Sequence, residues 1–211
     1  AETALSRAGV GFFPIGTPLA NDAGLEAVTG PRDPARAKQL LARAGYKGER
    51  VVLLSPADFP VVEALAQVTR DVLVRCGMNV DYVSADWGTV ISRRNSREPV
   101  ERGGWSVFCT YGDGVTSSMP ATNNPLRGDG AKAWFGWPTA PRMEELRSAW
   151  ADATDLAAQR QLGEEMQRVA FDEVMYYPAG QWFPPTAFRS NVRDLLKSPF
   201  PIFWNARKTD T

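Results

Sequence analysis

The sequence predicts an α/β fold in which a mixed sheet is flanked by helices, and three patterns carry that prediction. A short apolar run at 51–54, a helical apolar stripe that opens at Pro60 and an alternating segment at 78–83 make one βαβ unit. The parallel strands of such a unit are joined by a right-handed crossover. Helical periodicity also precedes the unit, at 34–44, and returns from Pro141.

The first helix, residues 34–44, carries signals at both ends. Asp33 is a favourable N-cap and Pro34 suits the first turn. Gly45 follows at the position where helices turn left-handed. The apolar face of this helix consists of Ala37, Leu40, Leu41 and Ala44.

The helix that opens at Pro60 ends at Gly77, and shorter elements follow it. Its apolar face consists of Val61, Leu65, Val68, Val72 and Leu73. Asp86 starts another helix, and alternation over 105–109 predicts a third strand. Residues 110–140 then show no regular period.

The two ends of the chain are predicted to be less regular than its middle. Two helices follow Pro141, the second capped by Thr154 or Asp155. Aromatics and prolines over 175–189 favour extended edge pieces, and 203–205 is predicted to be another. The first thirty residues hold five glycines, which predicts an irregular lead-in.

The composition excludes several classes of function. Basic and acidic side chains number 24 each, so no net positive field attracts nucleic acid. Histidine is absent, which removes Ser-His-Asp and Cys-His nucleophiles and imidazole metal sites. Cys76 and Cys109 form no CxxC pair, and we expect them to stay unbonded because they lie at opposite edges of the predicted sheet. No apolar run is long enough to span a membrane, residues 1–30 lack a signal-peptide pattern, and no cofactor motif is present.

The long segment 110–140 is the first candidate for a binding site. It follows a predicted strand, and open α/β sheets bind ligands beyond the carboxyl ends of their strands. It is also rich in aromatic residues, unlike a disordered loop. Its candidate contacts, which suit a polar organic solute, are Tyr111, Asp113, Asn123, Asn124 and Trp134. The Asn and Asp side chains are equally typical of plain turns, so both interpretations stay open.

The sequence favours a binding protein over an enzyme, because no nucleophile with its base can be named. The alternative is an α/β enzyme domain that works through carboxylates alone, such as Asp58, Asp86 and Asp113. A third hypothesis is an interaction module whose surface, in a chain with seven tryptophans, binds a protein.

Several short stretches together carry a resemblance to a known family. They are residues 33–37, 40–46, 73–80, 86–87, 103–105, 112–114, 160–167, 177–181 and 203–205. In this order and spacing they resemble the family 5 extracellular solute-binding proteins, the peptide/nickel class that serves ATP-driven importers.

The resemblance implies most of the C-terminal lobe of a type II periplasmic-binding fold, as a fragment of a longer, two-lobed protein. Residues 1–30 would be its lead-in, and residues 31–211 the lobe with the strands that return toward a first lobe. It implies a non-enzymatic component of an ABC importer, which binds a peptide-like or other small polar organic solute between two lobes and delivers it to a membrane permease. Such proteins are periplasmic, or lipid-anchored outside the cell.

The resemblance also bears on the ligand contacts. In dipeptide-binding relatives an Asp after the third strand holds the ligand's ammonium, and an Arg before the second helix holds its carboxylate. This chain has Thr110 at the first position and no Arg in the loop 55–58. We therefore expect a solute that is neutral or cationic at the end facing this lobe. The candidate contacts are Asp58, Trp87, Thr110, Tyr111, Asp113, Asn123 and Trp134.

Overall fold

A computed structural model describes residues 6–198 and 201–209 of the 211-residue chain. Its helices are α1 (Glu26–Thr29), α2 (Pro34–Arg43), α3 (Pro60–Arg75), α4 (Trp87–Arg93), α5 (Pro141–Asp152) and α6 (Leu156–Asp172). Its strands are β1 (Ser6–Arg7), β2 (Arg50–Pro56), β3 (Asn79–Ala85), β4 (Val107–Phe108), β5 (Gln181–Trp182), β6 (Val192–Arg193) and β7 (Arg207–Lys208). The chain divides into two compact units: residues 31–111, the sheet unit, and residues up to 30 with those from 112 onward, the helical unit.

The sheet unit is built on three parallel strands in the order β3-β2-β4. β2 and β3 pair along their whole length, from Arg50 opposite Asn79 to Pro56 opposite Ala85. α3 connects these two strands, so the predicted βαβ unit with parallel strands is confirmed. The predicted N-caps are also present, since Asp33 accepts a hydrogen bond from a backbone N–H in the first turn of α2.

Both faces of β2 are buried, which explains its unbroken apolar run. Leu53 packs with Val62 of α3 on one face of the sheet. Val52 and Leu54 point to the other face and pack with Val90 of α4. β2 therefore lies at the centre of the unit, between β3 and β4 and with helices packed on both of its faces.

The packed face of α3 differs from the face that its apolar residues predict. Val62 and Ala66 are buried, whereas Val61, Val68 and Val72 are exposed. The small side chain of Ala66 lets the helix lie close to β2. A prediction of the buried face from large apolar residues overlooks such an alanine. The prediction was therefore wrong for Val61, Val68 and Val72, whereas Leu65 of the predicted face does pack against this core.

The helical unit has its core between α5, α6 and the lead-in. The core contains Phe12, Phe13, Leu19, Leu126, Ala140, Met143, Leu146, Met166 and Ala170. The lead-in has mostly irregular backbone, as predicted, yet it supplies three of these buried side chains. The lead-in forms one compact unit with the residues from 112 onward.

A buried amide ties the lead-in to α6. Oε1 of Gln167, which is fully buried, accepts a hydrogen bond from the Phe12 N–H at 3.1 Å. Its Nε2 donates to the carbonyl oxygens of Asn21 and Ala23 at 3.0 and 2.8 Å. A Cβ on Gly11 would lie 1.9 Å from Oε1, so only glycine leaves room for this contact.

Several predicted extended pieces are shorter than expected. Only Val107–Phe108 of the third predicted strand is regular, and only Gln181–Trp182 of residues 175–189, where it pairs with β1. The prediction for 203–205 was wrong, because Trp204 and Asn205 form a turn. The Ala206 N–H closes that turn by donating to the Phe203 carbonyl at 3.1 Å.

Two further features of the chain are its cysteines and the lengths of its helices. Cys76 and Cys109 are both free, as expected. Among the residues that the structure describes, no helix is long and apolar enough to cross a membrane.

Candidate functional site

The carboxyl edge of the three-stranded sheet gathers polar and aromatic side chains. Pro56 and Ala85 end their strands opposite each other, and the Ala57 N–H donates to the Ala85 carbonyl at 2.7 Å. Asp58 lies in the loop after β2, Trp87 is the first residue of α4 after β3, and Thr110 and Tyr111 follow β4. Because the ends of parallel strands meet at one edge, these segments are neighbours within the sheet unit.

Three aromatic rings form the centre of this edge. The Phe59 ring lies 5.5 Å from the Trp87 ring and 5.2 Å from the Tyr111 ring, with interplanar angles of 83° and 88°. Phe59 and Trp87 are half-buried, and Tyr111 is 48% exposed. Edge-to-face packing of this kind fixes the orientation of each ring. Phe59 was missed by the sequence analysis, although its place just before Pro60 puts it in the loop after β2.

The two acidic side chains of this edge are engaged with the start of α4. Asp58 Oδ1 accepts from the Trp87 N–H at 2.7 Å. Asp86 accepts from the Thr89 hydroxyl at 2.5 Å and from its N–H at 2.9 Å. These hydrogen bonds from Thr89 hold the pKa of Asp86 below its usual value, so that carboxylate stays ionised at neutral pH. Thr110, the remaining candidate here, is half-buried beside Tyr111.

Two arginines at the end of α4 contact other parts of the sheet unit. Arg93 donates to the carbonyl oxygens of Gly103 and Gly104, both at 3.1 Å. The Arg94 guanidinium lies 5.8 Å from the centre of the Phe108 ring, and burial lowers its pKa. Both side chains therefore have roles in holding the loop that leads to β4.

Asp113, Asn123 and Trp134 belong to the helical unit, not to the sheet unit. Asp113 caps a turn, accepting from the N–H groups of Val115 and Thr116 at 3.0 and 2.8 Å. The Thr116 N–H in particular lowers the pKa of this carboxyl. Asp113 therefore acts as a turn residue here, which is one of the two interpretations that the sequence left open.

Asn123 is only 2% exposed. Its Nδ2 donates to the carbonyl oxygens of Phe12 and Ser117, both at 3.2 Å. Burial raises the pKa of Tyr176 in the same core to about 12, and Asn123 opposes that rise. The Asn123 side chain therefore connects the lead-in to the segment after residue 112 through these two hydrogen bonds.

Trp134 lines a cavity of about 240 Å³ in the helical unit. The other lining residues are Asn124, Arg127, Lys132, Ala133, Phe135 and Trp137. Within the described residues, no cluster of three or more Asp, Glu, Cys or His side chains could hold a metal ion.

The sequence profile of a known family matches residues 4–134, well over half of the chain, and its description reads bacterial extracellular solute-binding proteins, family 5, middle. The chain belongs to this family. The resemblance noted from the short motifs is thereby confirmed. By its description, this is a family of extracellular solute-binding proteins of bacteria.

A curated relative supports the same assignment. The chain is 36% identical over 176 residues to the probable peptide ABC transporter periplasmic-binding protein y4tO of Sinorhizobium fredii. The match covers 83% of this chain and 33% of that protein. The chain therefore spans about a third of the length of this relative.

Solved structures share the fold at low sequence identity. A dipeptide-binding protein of Pseudoalteromonas sp. SM9913, in complex with Met-Leu, matches with a TM-score of 0.68 at 20% identity, over 97% of this chain and 40% of that one. NikA of Staphylococcus aureus, in complex with Ni(L-His)2, matches with a TM-score of 0.64 at 16% identity, over 97% and 43%. The predicted fold class, a lobe of the type II periplasmic-binding kind, is confirmed.

Proposed function

We propose that this chain is the part of an ABC importer's solute-binding protein that contacts the solute through the carboxyl edge of its sheet. The observation that carries the proposal is the group of Asp58, Trp87, Thr110 and Tyr111 on that edge, in a chain of the family 5 solute-binding proteins. Phe59 packs edge to face against the rings of Trp87 and Tyr111. The solute is peptide-like or another small polar organic molecule.

Binding rather than catalysis fits the chemistry of these residues. The hydrogen bonds from Thr89 lower the pKa of Asp86, which makes this carboxylate a poor proton carrier, and Asp58 is engaged by the Trp87 N–H. The thiol of Cys109 is buried, and burial raises its pKa, so it is a poor nucleophile. Histidine, the usual partner of a nucleophile, is absent from the whole sequence.

The charges at the edge favour a solute that is neutral or cationic where it meets this unit. Asp58 and Asp86 are the acidic groups, and the rings of Trp87 and Tyr111 present π faces that attract cations. Arg93 is occupied with backbone carbonyls and adds no free cation for a ligand carboxylate. Modified peptides, amides and amines satisfy this pattern better than ordinary dipeptides.

The partner and the location follow from the family. We infer that the complete protein works outside the cytoplasm, in the periplasm or held to the cell surface by a lipid, and hands its solute to a membrane permease. The names of the family and of the 36% identical relative support this.

Native mass spectrometry of the protein from its own cells tests the proposal, followed by calorimetric titration with the solute found. We expect one solute per chain, of the neutral or amine-bearing class. Tyr111→Ala is expected to weaken binding about tenfold, since a lost ring contact is worth roughly 0.5–2 kcal/mol.

The matched control is Phe188→Ala, an exposed aromatic of the helical unit, which is expected to leave affinity unchanged. Chemical conversion of the solute by the protein would instead favour the carboxylate enzyme. Tight binding of ordinary dipeptides, undiminished in Tyr111→Ala, would contradict the proposed edge.

A further inference from the structure

The polypeptide between Gly130 and Pro138, in the helical unit, forms a loop whose ends are fixed. The Gly130 N–H donates to the Pro138 carbonyl, and the Ala140 N–H to the Gly128 carbonyl, both at 2.9 Å. Glu144 of α5 accepts from the Gly128 N–H at 2.7 Å. The loop is therefore held on a helix by its own backbone, and a site within it is formed before any ligand arrives.

This loop borders the cavity of about 240 Å³, whose lining combines aromatic and basic side chains. Trp134, Phe135 and Trp137 supply rings, while Arg127 and Lys132 supply positive charge. At ~30 Å³ per water, the volume corresponds to about eight water molecules, enough for one ring and its substituent. The occupant must be small and partly flat.

Strained backbone places one of these rings. Trp137 has a φ of 49°, in the left-handed region that bulky residues avoid. Its N–H donates to the Trp134 carbonyl at 2.8 Å, which closes a turn through Gly136 at a φ of 102°. Strain of this kind clusters at sites that hold ligands, where it sets the position of a side chain.

The charges around the cavity do not balance. Arg127, which lines the cavity, pairs with Asp129 at 2.5 Å. Lys132 makes no ion pair with the residues that the structure describes. Of the two cationic side chains that line the cavity, Arg127 is paired with a carboxylate, and the surplus positive charge is on the exposed Lys132.

We propose that this cavity is a second ligand site, which binds a planar organic anion. The flat part of the ligand lies against Trp134 and Trp137, and its carboxylate or phosphate faces Lys132. All of these residues belong to the helical unit, so the inference does not depend on the solute contacts proposed for the sheet unit.

Calorimetric titration of the 211-residue chain with benzoate tests the inference, with benzamide as the neutral ligand of the same shape and phenyl phosphate as the alternative anion. We expect one site per chain and affinity for benzoate at least about tenfold above that for benzamide. Lys132→Gln is expected to remove this preference, and Lys132→Arg to restore it. The better of the two anions identifies the head group.

Two further variants separate this cavity from binding elsewhere. Trp137→Gly removes a lining ring and relieves the strained φ, so it should fold and lose benzoate. Asp129→Asn removes the acid beside Arg127 and should strengthen benzoate binding. Equal affinity for benzoate and benzamide, no detectable binding of either anion, or unchanged benzoate binding in Trp137→Gly would each overturn the inference.

Discussion

At the scale of single residues, Gly11 and Gln167 show how one missing side chain makes room for another. Gln167 makes hydrogen bonds to three backbone groups of the lead-in, and all of them are separated from it by well over a hundred positions. A buried amide that is fully satisfied in this way fixes one arrangement of the backbone, because any other arrangement leaves it unpaired.

Gly11→Ala is expected to destabilise the protein by about 1–3 kcal/mol, because the new Cβ would overlap Gln167 Oε1 and displace a buried hydrogen bond. Urea denaturation followed by circular dichroism measures the loss. Gly114→Ala is the matched control, since a Cβ there meets no atom within 4 Å. Similar midpoints for Gly11→Ala and the unmodified protein would show that Gln167 does not hold the lead-in.

At the scale of elements, α3 is seated on the sheet by small residues. Ala66→Leu should cost about 1–3 kcal/mol, because the larger side chain has to displace the packed sheet beneath it. Val68→Leu, at a position 60% exposed, should change stability by less than about 0.5 kcal/mol. Thermal denaturation of both variants checks the difference, and a larger effect at position 68 would mean that the helix packs through its other face.

The sequence was sufficient to predict most of the longer elements, because each has local signals. Asp33, Asp86 and Asp155 all cap helices in the structure, and Gly45 and Gly77 both have positive φ after a helix. The face of a helix that is buried depends on its neighbours. That is why periodicity predicted α3 wrongly, and why α2 has an apolar stripe but no buried residue.

The position of a candidate site residue could be predicted from the sequence only where that residue follows a parallel strand. Asp58, Trp87, Thr110 and Tyr111 follow parallel strands, whose ends meet whatever the rest of the chain does. Asp113 and Asn123 were indistinguishable from turn residues in the sequence. Their backbone partners are set by folding of the helical unit, and Asn123 contacts Phe12, which is 111 positions away.

At the scale of the whole molecule, the described residues after 200 expose large apolar side chains. Trp204 is 89% exposed, and together with Phe203 it borders a groove of about 450 Å³. We expect the 211-residue chain to self-associate through this surface at micromolar concentrations or above. Sedimentation velocity over a range of concentrations measures this.

Trp204→Ser is expected to shift that equilibrium toward the monomer. The matched control is Leu40→Ser, which also replaces an exposed apolar side chain, but on α2 of the sheet unit. A monomeric parent chain, or an equal effect of the two variants, would contradict a role for this groove.

The division of the helical unit into two separate stretches of chain has a consequence for folding during synthesis. Phe12 and Gln167, which bond to each other, are 155 positions apart. A ribosome adding roughly 5–20 residues per second takes about 8–30 seconds to cover that distance. Throughout this time Phe12 and Phe13 have no finished core to enter, whereas residues 31–111 are contiguous and can fold as soon as they emerge. The nascent lead-in is therefore the segment that a chaperone would have most time to bind.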